Sequence, residues 1–130
     1  MFALDTNTLI YYFKGMGRVA EHLLATPPSK VVIPTVVVYE LEVGIAKSSS
    51  PAERRAQLAE ILRVARLAPF DQAAAEQSAG VRAALEAVGT PIGPIDTLIA
   101  GTALALRATL VSRNLGELTR VPGLEVVDWF

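Results

Sequence analysis

The chain has 130 residues and a net charge of −1, from 12 Lys and Arg against 13 Asp and Glu. A hydrophobic content of 52% excludes a disordered chain and predicts a single domain over 1–130 with a buried core. The absence of Cys and the single His, His22, exclude disulfides, Cys-ligated zinc, thiol nucleophiles and a multi-His metal site. No apolar run approaches the ~20 residues of a membrane span, and no targeting segment is recognisable. We therefore expect a cytoplasmic protein.

Short apolar runs between longer helical stretches predict the strands of a parallel sheet. The predicted strands are Phe2–Leu4, Val31–Ile33, Thr109–Ser112 and Glu125–Val127, with Leu67–Phe70 as a weaker fifth. Because these runs are apolar rather than alternating, we expect strands buried on both faces. Strands that alternate with helices predict an α/β fold with right-handed crossovers.

Helix boundaries are predicted from capping residues, Pro and Gly. The predicted helices are Thr6–Phe13, Arg18–Ala25, Val36–Lys47 capped by Thr35, a helix from Pro51 that opens with the capping box Ser50–Glu53, a helix capped by Asp71 that ends near Val88 before Gly89, and a helix from Pro94 to about Arg107. The helix Val36–Lys47 is apolar almost all round, which predicts a buried helix.

Polar side chains follow two of the predicted strands, at the sheet edge where ligands bind in α/β folds. Asp5 comes directly after the first strand, with Asn7 two residues later. Asp5 could equally serve only as a helix cap. Ser112, Asn114 and Glu117 follow a later strand, although an ordinary strand-to-helix loop would also place them there.

Three further carboxylates lie on predicted helices with apolar surroundings. Asp96 is in the first turn of its helix, where the helix dipole alone stabilises a carboxylate. Its apolar neighbours nevertheless predict burial, and a buried carboxylate needs a partner or a metal ion. Glu40 and Glu42 share one helix about 200° apart, so they cannot face the same cleft. Periodicity does not choose between them.

Several carboxylates in one cleft need a counter-charge, which a hard divalent cation supplies. Oxygen ligands without Cys or multiple His favour Mg²⁺ or Mn²⁺ over zinc. Such an ion can activate water and clamp a phosphodiester. Setting aside Asp5, Glu40, Asp96 and Glu117 leaves nine acids against 12 bases, a balance of +3 for the remaining surface. Candidate phosphate contacts on that surface are Arg18, Arg54, Arg55, Arg63, Arg66, Arg82, Arg113 and Arg120.

Together these segments resemble the four motifs of PIN-domain ribonucleases, in order and over essentially the whole chain. The segments that carry the resemblance are Leu4–Asn7, Glu40-Leu41-x-x-Gly44, Pro91–Ala100 and Ser112–Leu118, followed by Val121–Leu124 and Trp129, which are typical of VapC-type toxins. The second motif selects Glu40 over Glu42. The fourth motif usually opens with Thr and ends in Asp-Phe, where this chain has Ser112, Glu117 and Leu118.

The resemblance implies a PIN-like three-layer α/β/α fold with a central parallel sheet of four to five strands. It further implies an Mg²⁺-dependent endoribonuclease, with Mn²⁺ as a substitute, that is the toxin of a type II toxin–antitoxin pair. Asp5 and Asp96 would be metal ligands and, with Glu40 and Glu117, would form the catalytic cluster, while Asn7, Ser112 and Asn114 would orient carboxylates or water. The implied partners are RNA, with transfer RNA a frequent target in the family, a cognate VapB-like antitoxin, and a second copy in a homodimer.

Two alternatives come from other functional classes. Asp5-Thr6-Asn7-Thr8 resembles the Asp-x-Asp-x-Thr loop of haloacid dehalogenase-like phosphatases, whose first Asp is a nucleophile. Here Asn7 replaces the second Asp, which removes the general acid. The substitution at Glu117 and the modest basic charge would also suit a catalytically weak module that binds RNA or an antitoxin.

Overall fold

The computed structural model describes all 130 residues and is organised around a five-stranded parallel sheet of order β3-β2-β1-β4-β5. The strands are β1 (Phe2–Leu4), β2 (Val31–Pro34), β3 (Arg66–Ala68), β4 (Thr109–Val111) and β5 (Val126–Val127). All five predicted strands are present, so the predicted α/β class is confirmed. The weaker prediction, Leu67–Phe70, is shifted because the chain leaves the sheet at Pro69, which has no N–H to donate.

Helices connect the strands on both faces of the sheet. They are α1 (Thr6–Phe13), α2 (Val19–Ala25), α3 (Thr35–Lys47), α4 (Pro51–Val64), α5 (Gln72–Ala87), α6 (Pro94–Leu106) and α7 (Leu115–Leu118), with a 3₁₀ turn at Pro28–Lys30. The chain runs outward from β1 to β3 and then returns to the other side of β1. Right-handed crossovers therefore put α1 to α4 on one face and α5 to α7 on the other. None of the seven helices has the length and apolar content needed to cross a lipid bilayer.

Burial on both faces holds only for the central part of the sheet. Ala3, Leu4, Ile33 and Leu110, from β1, β2 and β4, are inaccessible to solvent. The edge strands β3 and β5 are partly exposed, so the expectation that every strand is buried is wrong for these two. An edge strand has a neighbour on one side only, and a short apolar run does not reveal its place in the sheet.

The helix α3 buries one face rather than its whole surface, contrary to the prediction. Val37, Leu41 and Ile45 are buried at helical spacing, whereas Tyr39 is 60% exposed and Val43 is also exposed. The apolar composition of this helix therefore exceeds what the core of this chain covers. Its remaining surface is free to present polar groups to the sheet edge.

The capping predictions succeed for one helix and fail for another. The Asp71 carboxylate accepts a hydrogen bond from the Ala74 N–H at 2.9 Å, and Gly89, with φ of 73°, follows the end of α5 as predicted. Thr35 does not cap α3. It is the first residue of that helix, and its hydroxyl accepts a hydrogen bond from the Phe70 N–H at 3.1 Å.

The predicted capping box at the start of α4 is also wrong, although the helix begins at Pro51 as expected. The Ser50 side chain makes no capping hydrogen bond. Its backbone N–H donates to the Ser48 hydroxyl at 3.0 Å, which forms a local turn before the helix. The sequence therefore has the Ser-x-x-Glu spacing of a capping box, but the capping hydrogen bond from the Ser50 side chain is not formed.

Candidate active site at the β1 and β4 ends

Asp5 lies where the strand order reverses, between the carboxyl ends of β1 and β4. Its N–H donates to the Val111 carbonyl at 3.2 Å, and the Thr8 hydroxyl donates to the same carbonyl at 3.1 Å. The Asp5 carboxylate accepts from the Thr8 N–H at 2.9 Å and is only 6% exposed. Asp5 therefore caps α1 and also lies at the predicted ligand-binding edge, so the two interpretations of this residue are compatible.

The loop after β4 brings together two carboxylates from different helices. The Asn114 side-chain amide donates to Asp96 Oδ2 at 3.2 Å and to Glu117 Oε2 at 2.9 Å. Ser112 is fully buried, and its hydroxyl accepts from the Asn114 N–H at 3.0 Å. Asn114 thus contacts two carboxylates directly, whereas Ser112 orients the loop that carries Asn114.

The structure distinguishes the two glutamates of α3. The Thr6 hydroxyl, at the start of α1, donates to Glu40 Oε1 at 2.5 Å. Glu42 instead pairs with Arg55 of α4 at 2.9 Å. This arrangement agrees with the choice of Glu40 that the family resemblance made. The part played by Thr6 was not identified from the sequence, because no local spacing connects it with a residue 34 positions away.

The other three predicted acids act electrostatically on Asp96. Burial raises the pKa of Asp96, and the hydrogen bond from Asn114 opposes that rise. The negative charges of Asp5, Glu117 and Glu40 each raise the pKa of Asp96 further. None of the groups that shift this pKa is a cation. The fold therefore concentrates negative charge from four separate segments of the chain around the Asp96 carboxyl.

These residues fit a hydrated divalent cation better than a closed metal cage. The charged donors are carboxylate oxygens, which Mg²⁺ and Mn²⁺ prefer. No three acidic side chains approach closely enough to hold one ion together. Mg²⁺ does not require that, because it is usually bound through one or two carboxylates and keeps several waters. A cation would also relieve the uncompensated negative charge, which adds to the effect of burial in raising the pKa of Asp96.

Asn7 is the one predicted site residue whose side chain makes no hydrogen bond. It is exposed on the first turn of α1. Its assignment as a residue that orients carboxylates or water stays a prediction.

Comparison with known proteins agrees with this geometry. The PIN-domain family profile matches residues 2–124. The chain belongs to the PIN-domain family. This PIN domain is 33% identical over 128 residues to the tRNA(fMet)-specific endonuclease VapC of Salmonella typhimurium, covering 98% of this chain and 97% of that protein. The resemblance inferred from the four motifs is thereby confirmed at the level of the family.

Solved structures extend the similarity to the whole fold. The PIN domain superposes on VapBC2 from Rickettsia felis, bound to a DNA fragment from its promoter, with a TM-score of 0.93 and 29% identity over 99% of this chain and 98% of that one. DNA-bound VapBC from Salmonella typhimurium gives a TM-score of 0.93 and 33% identity over the same shares of the two chains. The predicted PIN-like fold is confirmed.

Proposed function

We propose that this PIN domain is a divalent-metal-dependent endoribonuclease and the toxin of a toxin–antitoxin pair. The observation that carries the proposal is the convergence of Asp5, Glu40 and Glu117 on Asp96, each contributed by a different segment of the chain. Membership of the PIN-domain family and similarity to VapC ribonucleases over nearly the full chain support the same assignment.

Each residue has a distinct role in this proposal. Asp5 and Asp96 hold the ion, and Glu40 and Glu117 complete the acidic cluster. Asn114 fixes the relative positions of Asp96 and Glu117, because its side-chain NH₂ group donates a hydrogen bond to each of them. Glu117 is one methylene longer than the Asp usual in the family, yet its carboxylate still reaches this amide. A bound Mg²⁺, or Mn²⁺ in its place, would supply positive charge to the phosphodiester and make water more acidic.

The two glutamates of α3 provide a matched test. Glu40→Gln and Asp96→Asn should abolish RNA cleavage in Mg²⁺ or Mn²⁺, because each removes a charge from the cluster. Glu42→Gln should retain cleavage, since its partner is Arg55 on the adjacent helix. Circular dichroism would verify that all variants are folded. Equal cleavage by wild type, Glu40→Gln and Asp96→Asn would refute the assignment.

Assays with variants of Asp5 and Glu40 distinguish the two alternative functions, a phosphatase and a binding module without catalytic activity. Hydrolysis of p-nitrophenyl phosphate that requires Asp5 but not Glu40 would indicate a phosphatase. RNA binding without cleavage under any divalent cation would indicate a binding module.

The substrate and partner follow from the named relatives and from one surface feature. The Salmonella relative is named for tRNA(fMet), so we propose tRNA as the substrate class and tRNA(fMet) as the first RNA to assay.

Solved relatives are complexes of VapC with VapB, and we propose a VapB-like antitoxin here. An apolar groove supports that partner, with Lys14 and Arg54 among its walls and the side chains of Ile10, Phe13, Leu41, Ile45 and Leu58 as its apolar lining.

The homodimer stays a prediction, and exposed apolar side chains support it. Tyr39 of α3 and Phe70 after β3 are both exposed. The Phe70 N–H donates a hydrogen bond to the hydroxyl of Thr35, which lies one helical turn before Tyr39. Light scattering of the purified protein would give its mass in solution. A concentration-independent monomer would contradict the prediction.

A further inference from the structure

We propose that Arg113 positions the RNA by binding a phosphate next to the scissile one, and that the segment Asp128–Phe130 holds its guanidinium in place. The proposal rests on the proposed ribonuclease function and extends it to a residue outside the acidic cluster. It assigns a substrate contact to the loop that carries Asn114.

Arg113 lies beside the acidic cluster without neutralising it. It stands between Ser112 and Asn114 on the loop that follows β4. Its guanidinium contacts the last residues of the chain: the Arg113 Nε lies 3.5 Å from Asp128 Oδ2, and its Cζ lies 3.8 Å from the centre of the Phe130 ring. An acidic site repels an RNA backbone, so a cation at its border would attract a neighbouring phosphate.

The ring beneath Arg113 is held by several independent contacts. Phe130 packs edge-on against Tyr11 of α1, with ring centres 5.1 Å apart. The Phe130 carbonyl accepts from the Arg18 N–H at 2.6 Å, and the Phe130 N–H donates to Asp128 Oδ1 at 2.9 Å. Gly17, with φ of 64°, makes room for the ring, because a Cβ there would lie 2.7 Å from two of its carbons. The aromatic platform is therefore fixed before any substrate binds.

The preceding residue, Trp129, is also anchored by aromatic contacts. Trp129 is buried, stacks parallel to His22 of α2 with ring centres 5.2 Å apart, and contacts Phe2 of β1. These contacts attach the segment to the sheet and to α2. Movement of Phe130 relative to the active-site loop is thereby restricted.

The Arg113 guanidinium retains donors for a phosphate. Its side chain is 46% exposed and makes no hydrogen bond within the protein, so its N–H donors are available to a ligand. A guanidinium stacked on a ring keeps its N–H edges available for bidentate recognition of phosphate oxygens. Other arginines are paired with exposed carboxylates, as in Arg55–Glu42 and Arg82–Glu86. Arg113 also faces a carboxylate, that of Asp128 at 3.5 Å, but it differs from these because an aromatic ring holds it next to the site.

The decisive experiment is single-turnover cleavage of tRNA(fMet) by wild type and Arg113→Ala. The half-saturating enzyme concentration should rise about tenfold, with little change in the maximal rate constant, because a charge-assisted contact to a non-reacting phosphate is lost. The slope of log affinity against log salt should decrease in magnitude by about 0.7–0.9, the value for one phosphate contact. Arg113→Lys should restore the salt slope but only part of the affinity, since Lys binds phosphate without the planar fork.

Arg107→Ala is the matched charge control. Arg107 is exposed at the end of α6, just before β4 begins, and so lies at the opposite end of the strands from the site. It should leave the half-saturating concentration unchanged.

A double-mutant cycle tests the supporting role of the Asp128–Phe130 segment. Phe130→Leu keeps apolar bulk over Gly17 but removes the aromatic face, and it should raise the half-saturating concentration severalfold. Phe130→Leu combined with Arg113→Ala should bind no more weakly than Arg113→Ala alone, because the ring acts through the guanidinium. Additive losses would overturn this part of the proposal.

Two results would overturn the substrate contact itself. One is an Arg113→Ala variant with a lower Tm but unchanged half-saturation and salt slope, which would make the residue a structural brace only. The other is a reduced maximal rate with unchanged half-saturation. Fluorescence anisotropy with labelled tRNA(fMet) measures the salt slope without cleavage. A failure of the proposed nuclease activity is therefore distinguishable from a failure of this inference.

Discussion

Asp96 lies on α6, which crosses α5 closely at Gly101, and a single methyl group there should disturb the packing of the two helices. Gly101 of α6 faces Ser78 of α5 so closely that a Cβ there would lie 1.9 Å from the Ser78 hydroxyl oxygen and 2.6 Å from the Ser78 backbone nitrogen. Real Cβ contacts essentially never fall below 3.0 Å. Rotation of the Ser78 side chain would relieve only the first contact. Gly101→Ala must therefore push the two helices apart.

The size of the effect follows from two opposing contributions. Overpacking a core contact costs roughly 1–3 kcal/mol, and a contact with backbone belongs at the upper end of that range. Replacing Gly by Ala inside a helix raises the free energy of unfolding by about 1 kcal/mol, because Ala has the higher helix propensity. Gly101→Ala should thus lower the free energy of unfolding by about 2 kcal/mol. For a domain of this length that corresponds to a Tm lower by about 8 °C.

Thermal and urea unfolding followed by circular dichroism would measure this change, with Gly80→Ala as the control. Gly80 is on α5 with open space around its Cα, so Ala there should stabilise by about 1 kcal/mol. Ser78→Ala should partly rescue Gly101→Ala, since it removes the hydroxyl contact but leaves the backbone nitrogen. A Tm for Gly101→Ala at or above that of wild type would refute the packing argument.

Three further predictions concern the acidic cluster. Burial raises the pKa of Asp96, so the stability that the Asp96 carboxyl contributes is fully present below its unfolded pKa and is lost as pH rises through its folded pKa. Metal-free Asp96→Asn should therefore have a higher Tm than wild type at pH 7, and the difference should close near pH 4. A lower Tm for the variant at pH 7 would contradict this. Asn114→Ala removes the bond that lowers the pKa of Asp96, so the acidic limb of the cleavage pH profile should move to higher pH, and an unmoved limb would exclude that coupling. Thr6→Val should reduce cleavage about fivefold by releasing Glu40, while Thr6→Ser keeps the hydroxyl and should retain activity; equal activity of both variants would show that the bond is dispensable.

Local sequence patterns predicted the elements well because the physical causes are themselves local. The apolar run Phe2–Leu4, the proline at the start of α6 and the Asp71 cap each act within a few residues. Thr35 and Ser50 have the composition of caps but do not act as caps. Thr35 accepts its hydrogen bond from a residue beyond β3, and a rule based on neighbouring residues cannot include such a partner.

The choice between Glu40 and Glu42 shows the same limit at the site. Both have apolar residues three and four positions away, so helical periodicity treats them alike. The structure separates them through partners on other helices, Thr6 for one and Arg55 for the other. Only the family resemblance could select Glu40 from the sequence, because a motif carries information on tertiary contacts that composition lacks.

The cluster is held together by groups that do not cancel its charge. Asn114 joins Asp96 to Glu117, and Thr6 fixes Glu40, but both donors are neutral. Their hydrogen bonds can orient carboxylates without removing the repulsion between them, which adds to the effect of burial in raising the pKa of Asp96. A Lys or Arg in these positions would stabilise the metal-free fold and at the same time compete with a cation. The neutral donors therefore preserve a negative field for a divalent ion, and the stability lost at the site is supplied by the buried sheet beneath it.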